Sequence, residues 1–266
     1  MNIPRVTIMG SCRVYTTLQN LESDNLISIQ NQSIYGYTHT TKETIQIIDN
    51  AKGSFRFPVE LNQFISKNPK KIFLTQNTNI DDTDIYIIEI SSIKLIKVKS
   101  IYLKINETRK YLKEKIPLFD EWINDLIKQK QKNIEYYFNN NYTQDDKSLE
   151  IILEYLEIVD QDKTSFQDDI KYIINALPKN KKILFISHFD IKMKKKNIRI
   201  PSRVKIVKWL EEIREEYQNN IFFYNPRYTI EEFGNNLAID DTAHYSESFK
   251  PILAQEIYSK FLKDAK

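Results

Sequence analysis

Val6-Thr7-Ile8-Met9-Gly10-Ser11-Cys12-Arg13 decides how the rest of this chain is read. An apolar run rich in β-branched residues ends at a glycine. The residues beyond it, Ser11 to Leu21, carry Val14, Leu18 and Leu21 at helical spacing. The stretch therefore reads as strand, tight turn and helix. Glycine is scarce here, present only as Gly10, Gly36, Gly53 and Gly234, so one standing at a strand-to-helix junction is informative. A side chain just past such a turn lies at the C-terminal edge of a sheet, where open α/β folds bind ligands. It also lies at a helix N-terminus, where unpaired N–H groups and the helix dipole favour an anion.

Outward from that corner the same alternation repeats. Leu26 to Ile29 reads as a short strand, and Thr41 to Ala51 as a helix with Ile45, Ile48 and Ala51 on one face and Thr41 as a cap. Lys71 to Leu74 and Asp84 to Ile90 are strand-like, the second nearly continuous in apolar residues, as a strand covered on both faces should be. From about Glu107 to Ala176 long Lys/Glu/Asn-rich segments carry Leu, Ile, Tyr and Trp on a helical stripe. Ile183 to Ser187 returns to strand, Pro201 to Glu216 is a helix with proline at its start, Ile221 to Tyr224 is a last strand, and Ser246 to Leu262 a terminal helix. Strands alternating with helices predict an α/β fold, a three-layer parallel sheet of flavodoxin-like type. Residues 1–266 form one domain on this reading, with a helical insertion or cap at about 106–178.

Composition narrows the function. With 266 residues, 41% hydrophobic, the chain is long enough to bury a substantial core. Its 39 basic and 36 acidic side chains nearly cancel to +3, which argues against a nucleic-acid partner. The one concentrated basic run, Lys192-Met193-Lys194-Lys195-Lys196, reads as a solvated loop. No apolar run is long enough to span a bilayer. The apolar stretch ahead of Cys12 is about six residues, against ~7–15 for a signal peptide, so the expected location is cytoplasmic. A single cysteine and three histidines without a His-x-x-x-His pair predict neither an intramolecular disulfide nor a zinc site, and no metal is expected. No Gly-rich phosphate loop is present.

Two ends of the chain carry chemistry. At the first, a thiol at a helix N-terminus beside the cation of Arg13 sits in the environment that makes thiols nucleophilic. The bland alternative is a buried structural cysteine. At the second, Asp240-Asp241-Thr242-Ala243-His244-Tyr245 precedes the terminal helix. An Asp three residues ahead of a His can bond one imidazole nitrogen, fix the tautomer and leave the other nitrogen free as a base. His39, just ahead of a helix, and His188, just past a strand, are candidates for substrate contact.

Taken together, Gly10-Ser11-Cys12-Arg13 and Asp241 to His244 resemble the SGNH/GDSL hydrolases. That family carries a nucleophile in a Gly-Asp-Ser block after the first strand and an Asp-x-x-His block before the last helix. In register, its serine falls on Cys12 and its aspartate on Ser11. The Gly-Ser-Cys form is similar to a branch associated with bacterial polysaccharide biosynthesis. The resemblance implies acyl transfer, as esterase or O-acyltransferase, on a carbohydrate ester or hydroxyl. Cys12 or Ser11 would be the nucleophile, with Asp241 and His244 completing the site. No cofactor is required, and acetyl-CoA is a possible acyl donor. Gly10, Arg13 and Gly36 fall where that family binds the oxyanion. Its asparagine has no counterpart after the strand ending at Ile90, leaving Ser91, Ser92 or Asn77 as substitutes. The competing reading is a catalytically inactive glycan-binding or interaction protein that kept the fold.

Overall fold

The computed structural model describes residues 3–31, 36–66, 82–130, 133–139, 146–191, 199–217, 220–241 and 243–263. The expected strand at Lys71 to Leu74, the candidate Asn77 and the basic run at Lys192 lie outside the described residues. In chain order the strands are β1 (Arg5–Met9), β2 (Ser28–Ile29), β3 (Ile85–Ile90), β4 (Lys94–Val98), β5 (Ile101–Leu103), β6 (Leu156–Asp160), β7 (Lys182–Ser187) and β8 (Ile221–Tyr224). The helices are α1 (Cys12–Ser23), α2 (Thr41–Ala51), α3 (Ile105–Lys115), α4 (Phe119–Ile127), α5 (Ile134–Tyr137), α6 (Lys147–Tyr155), α7 (Lys163–Ala176), α8 (Pro201–Arg214), α9 (Arg227–Phe233), α10 (Asn235–Ala238) and α11 (Lys250–Ile257). A π turn, Tyr258–Leu262, follows α11.

Five strands form one parallel sheet in the order β2-β1-β3-β7-β8. Counted within the sheet, that is 2-1-3-4-5, the order of flavodoxin-like doubly wound sheets. Helices cover both faces, giving the expected three-layer α/β architecture. The reason is legible in β3, whose six residues are all buried. Its alternate side chains serve two cores: Tyr86, Ile88 and Ile90 pack with Ile47, Phe166 and Ile206 of α2, α7 and α8. Ile85 and Ile87 pack with Val14, Leu18, Leu253 and Ile257 of α1 and α11. The sheet order switches direction between β1 and β3, so the connections leaving their C-terminal ends diverge there and open a crevice.

One part of the chain departs from the expectation. The segment from about Glu107 to Ala176, read as wholly helical, contains strand β6, and it is joined to a hairpin the sequence did not show. β4 pairs antiparallel with β5 and with β6, making a second, three-stranded sheet. The hairpin was hidden because its turn holds Lys99 at φ 56°, where glycine or asparagine is the usual signal. Strand β6 was hidden because Leu156 continues the helical stripe of Leu149 and Ile152. No helix among the described residues is long and apolar enough to cross a membrane.

Gly10 shows how closely β1 and β3 meet at their C-terminal ends. A Cβ added there would lie 2.8 Å from the Cβ of Glu89. The Gly10→Ala variant is therefore expected to lose roughly 1–3 kcal/mol through overpacking, read as a lowered midpoint of urea unfolding.

Candidate active site

The strand-to-helix corner is built around Ser11. It caps α1, its Oγ accepting the Arg13 N–H at 3.3 Å, with extended backbone (φ −79°, ψ 171°). Both its donors go to one carboxylate: the Ser11 N–H donates to Glu89 Oε2 at 2.8 Å, and the hydroxyl donates to the same oxygen. Ser11 is 3% exposed. Its hydroxyl is thus fully engaged in structure, whereas Cys12, the first helical residue, is a free, half-buried thiol. Of the two candidate nucleophiles, only Cys12 is left uncommitted by these bonds.

Glu89 lies on the same face of β3 as Ile85 and Ile87, directly under α1, and Arg13 turns inward to meet it. Arg13 Nε donates to Glu89 Oε1 at 2.9 Å and Nη2 donates to the same oxygen, with both side chains almost wholly buried. The third nitrogen, Nη1, lies 2.9 Å from His188 Nε2 and donates to the carbonyl of Ala243 at 2.6 Å. The guanidinium also sits 5.4 Å from the Phe189 ring centroid and 5.8 Å from that of Tyr245. Burial works against this charge, but Glu89, Tyr245 and Cys12 outweigh it and hold Arg13 above its ordinary pKa. His188 moves the other way: burial, then the neighbouring charges of Arg13 and Arg203, push its imidazole well below its usual range. It is a neutral ring accepting from Arg13 through Nε2.

The bond from Arg13 to Ala243 brings the far end of the chain to the corner. Ala238 to Ser246 folds back on itself through an isolated bridge between Ile239 and Tyr245 and a bond from the Ser246 N–H to the Ala238 carbonyl. Tyr245 is buried against Phe189 and Phe249, with both ring separations 5.4 Å. His244 is therefore fixed on both flanks, by Ala243 on Arg13 and by Tyr245 in the core, while its own ring stays exposed. Its Nδ1 faces Asp241 Oδ2 at 2.8 Å. Asp241 Oδ1 accepts the N–H groups of Ala243 at 2.6 Å and His244 at 2.8 Å. The bond from His244, aided by those backbone donors, holds the Asp241 carboxyl below its usual pKa. With Nδ1 donating to Asp241, Nε2 is the nitrogen left to accept a proton.

The loop Gly36 to His39 forms another wall. The Thr38 N–H donates to the Gly10 carbonyl at 3.0 Å. Tyr37 stands near Cys12, and burial, then the proximity of Cys12 and Tyr15, raise its phenol pKa. Gly36 has φ 68° and faces the Lys104 ammonium, which an added Cβ would meet at 2.6 Å. His39 Nδ1 lies 2.9 Å from Ser91 Oγ, and the His39 carbonyl accepts the N–H groups of both Ser91 and Ser92 at 2.9 Å. Burial lowers the His39 pKa, with Glu89 and Arg13 close enough to act on it. Ser92 turns away, its Oγ accepting the Lys94 N–H at 2.9 Å. The structure thus gathers Cys12, Tyr37, His39, Ser91 and the Asp241–His244 pair around the Arg13–Glu89 centre. Gly36 and Ser92 face other partners, and His188 serves the buried network. No group of three or more His, Cys, Asp and Glu among the described residues is arranged to hold a metal.

The sequence reading missed Glu89. Its signal was present, since it is the one charged side chain inside a strand that is otherwise apolar and covered on both faces.

Comparison with known proteins adds the following. The family model described as the TviD N-terminal domain matches residues 4–260. The Vi polysaccharide biosynthesis protein TviD of Salmonella typhi is 24% identical over 271 aligned residues, covering 95% of this chain. The chain spans 31% of that relative's length. One solved crystal structure aligns with 99% of this chain and 98% of its own, at 10% identity and a TM-score of 0.44.

Two outcomes are expected of the buried network. Glu89→Gln strands the Arg13 cation in the interior and should cost about 3–5 kcal/mol by chemical denaturation. Because His188 is held neutral in the folded state, its contribution is fully present above the ordinary imidazole value of 6.5 and is lost as the pH falls below it. Each unit of acidification below that point should remove up to about 1.4 kcal/mol. His188→Gln, which keeps an acceptor for Arg13, should flatten that slope in unfolding curves taken on either side of pH 6.5, leaving the part due to His39.

Proposed function

Because the chain belongs to the TviD N-terminal domain family, we propose that it acts in surface-polysaccharide biosynthesis as an acyl-transfer enzyme with an SGNH-type site. The observation that carries this reading is the 2.6 Å bond from Arg13 Nη1 to the Ala243 carbonyl, which fastens the Asp241–His244 loop against the helix start bearing Cys12. A nucleophile next to one end of that bond and a carboxylate-oriented imidazole next to the other is the arrangement acyl transfer needs.

In the first half-reaction His244 Nε2 takes the Cys12 proton as Sγ attacks the carbonyl carbon of a thioester or ester. The helix dipole at the start of α1 favours negative charge at Sγ. The tetrahedral intermediate collapses, the leaving thiolate or alkoxide takes the proton from His244, and the acyl group stays on Cys12. In the second half a sugar hydroxyl gives its proton to His244 and attacks the thioester. Cys12 departs as the leaving group and is reprotonated. With water in place of the sugar the same steps hydrolyse an ester. Asp241 keeps Nδ1 protonated throughout and stabilises the imidazolium. The half-buried His39 beside Ser91, with the backbone N–H groups at the start of α1, supplies candidate donors for the oxyanion.

Acetyl-CoA with a labelled acetyl group should leave that label on Cys12, detected by mass spectrometry of peptides. Cys12→Ala should abolish it. Ser11→Ala should keep it while losing on the order of 1–2 kcal/mol of stability, because the cap is lost and Glu89 Oε2 loses one of its two donors from residue 11. His244→Ala should slow labelling by at least roughly a hundredfold. No label on the wild type, with Cys12 still reacting with a thiol-directed reagent, would instead favour a glycan-binding protein without catalysis.

A further inference from the structure

A cleft of about 320 Å³ opens at the C-terminal end of β8, between the helical layers on the two faces of the sheet. Phe223 and Tyr224 form its floor, α8 contributes Glu211 and Arg214, and Phe261 and Tyr228 close its sides. Two features mark it as more than a gap at a sheet edge. Ser187, 2% exposed at the end of β7, is one of its lining residues, and its buried hydroxyl has no hydrogen-bond partner among the described residues. An unpaired buried hydroxyl is costly unless something supplies its partner. In addition, Lys260 and Phe261 reach the cleft from the π turn, whose widened bond runs from the Lys263 N–H to the Tyr258 carbonyl at 2.9 Å. Single-turn π segments in helices are frequent at functional sites.

We propose that this cleft binds a sugar ring of the glycan, beside the unit presented to Cys12. Its charges balance, Glu211 and Glu256 against Arg214 and Lys260, with Lys260 already bonded to Glu256 at 2.6 Å. A nucleotide or phosphate would call for an excess of cation. A hydrocarbon would leave Ser187, Glu211 and Arg214 desolvated without partners. A pyranose satisfies both kinds of wall, laying C–H faces on the aromatic rings and hydroxyls on the polar groups. The position is suitable for a polymer. Ser187 adjoins His188, whose ring is bonded to Arg13, and β1 lies three strand spacings from β8, roughly 14 Å across the sheet. A chain of a few sugars laid along that edge joins the cleft to the corner.

This inference rests on the acyl-transfer reading for its meaning, but it is tested separately. The 266-residue chain is applied to a printed array of bacterial surface polysaccharides, beside Ser187→Ala and Tyr228→Ala. Tyr228 is 70% exposed, and Ser187→Ala removes an unpaired buried hydroxyl, so neither variant should lower the melting temperature below that of the wild type. The wild type is expected to be retained by at least one polymer, and each variant to bind on the order of tenfold more weakly. Failure of the wild type to bind any polymer, or variants that bind as tightly as it does, would overturn the proposal. Polymer binding that depends on Tyr228 without acyl label on Cys12 would keep the cleft and remove the acyl-transfer reading. Label without polymer binding would do the reverse.

Discussion

A single buried ion pair organises this molecule. Glu89 and Arg13 are taken out of water together, and a charge in that position is tolerated only because every strong bonding direction is filled. Glu89 accepts from the backbone and hydroxyl of Ser11 as well as from the guanidinium. Arg13 spends its remaining nitrogen on His188 and Ala243. The pair therefore ties together the end of β1, the cap of α1, the end of β3, the residue after β7 and the loop before α11. Replacing either partner with an apolar residue would unfasten more than one bond, because each is a node shared by several elements.

The arrangement separates a buried foundation from the more exposed side chains around it. Ser11, Arg13 and Glu89 are buried and satisfy one another, and His188 is buried with Nε2 on Arg13, so they hold position but have little freedom to touch a ligand. Cys12 stands between Ser11 and Arg13 in sequence, and His244 follows Ala243, which Arg13 bonds; both are more exposed than that inner group. The nearest neighbours in sequence thus take opposite roles: Ser11 is fixed so that Cys12 is placed, and Ala243 is fixed so that His244 is placed. Side chains held by such an inner layer keep their geometry better than side chains on an unanchored loop.

Much of this was legible in the sequence, and the misses have physical causes. The period of the apolar pattern placed α2 at Thr41–Ala51 and β8 at Ile221–Tyr224 without adjustment, but the cap of α2 is Thr40, whose Oγ1 accepts the Glu43 N–H at 3.2 Å, and not Thr41 as expected. It failed at β6, where strand residues continue a helical stripe, and at the β4–β5 hairpin, whose turn lacks the usual residue types. The candidate chemistry at Cys12, Asp241 and His244 was visible as motif. What joins them was not, since a bond between Arg13 and a backbone carbonyl is independent of the identity of residue 243. Ser11 and Cys12 were indistinguishable as nucleophiles in one dimension. Glu89, nearly eighty positions away, takes up the hydroxyl of Ser11.

The clasp between Arg13 and Ala243 joins residues 230 positions apart. Contacts of such separation form slowly, because the loop they close is long. During synthesis Arg13 leaves the ribosome long before Ala243. Until residue 243 is made, the buried guanidinium lacks one of its acceptors, so the Arg13–Glu89 corner gains its last bond only after the sheet that surrounds it has been synthesised.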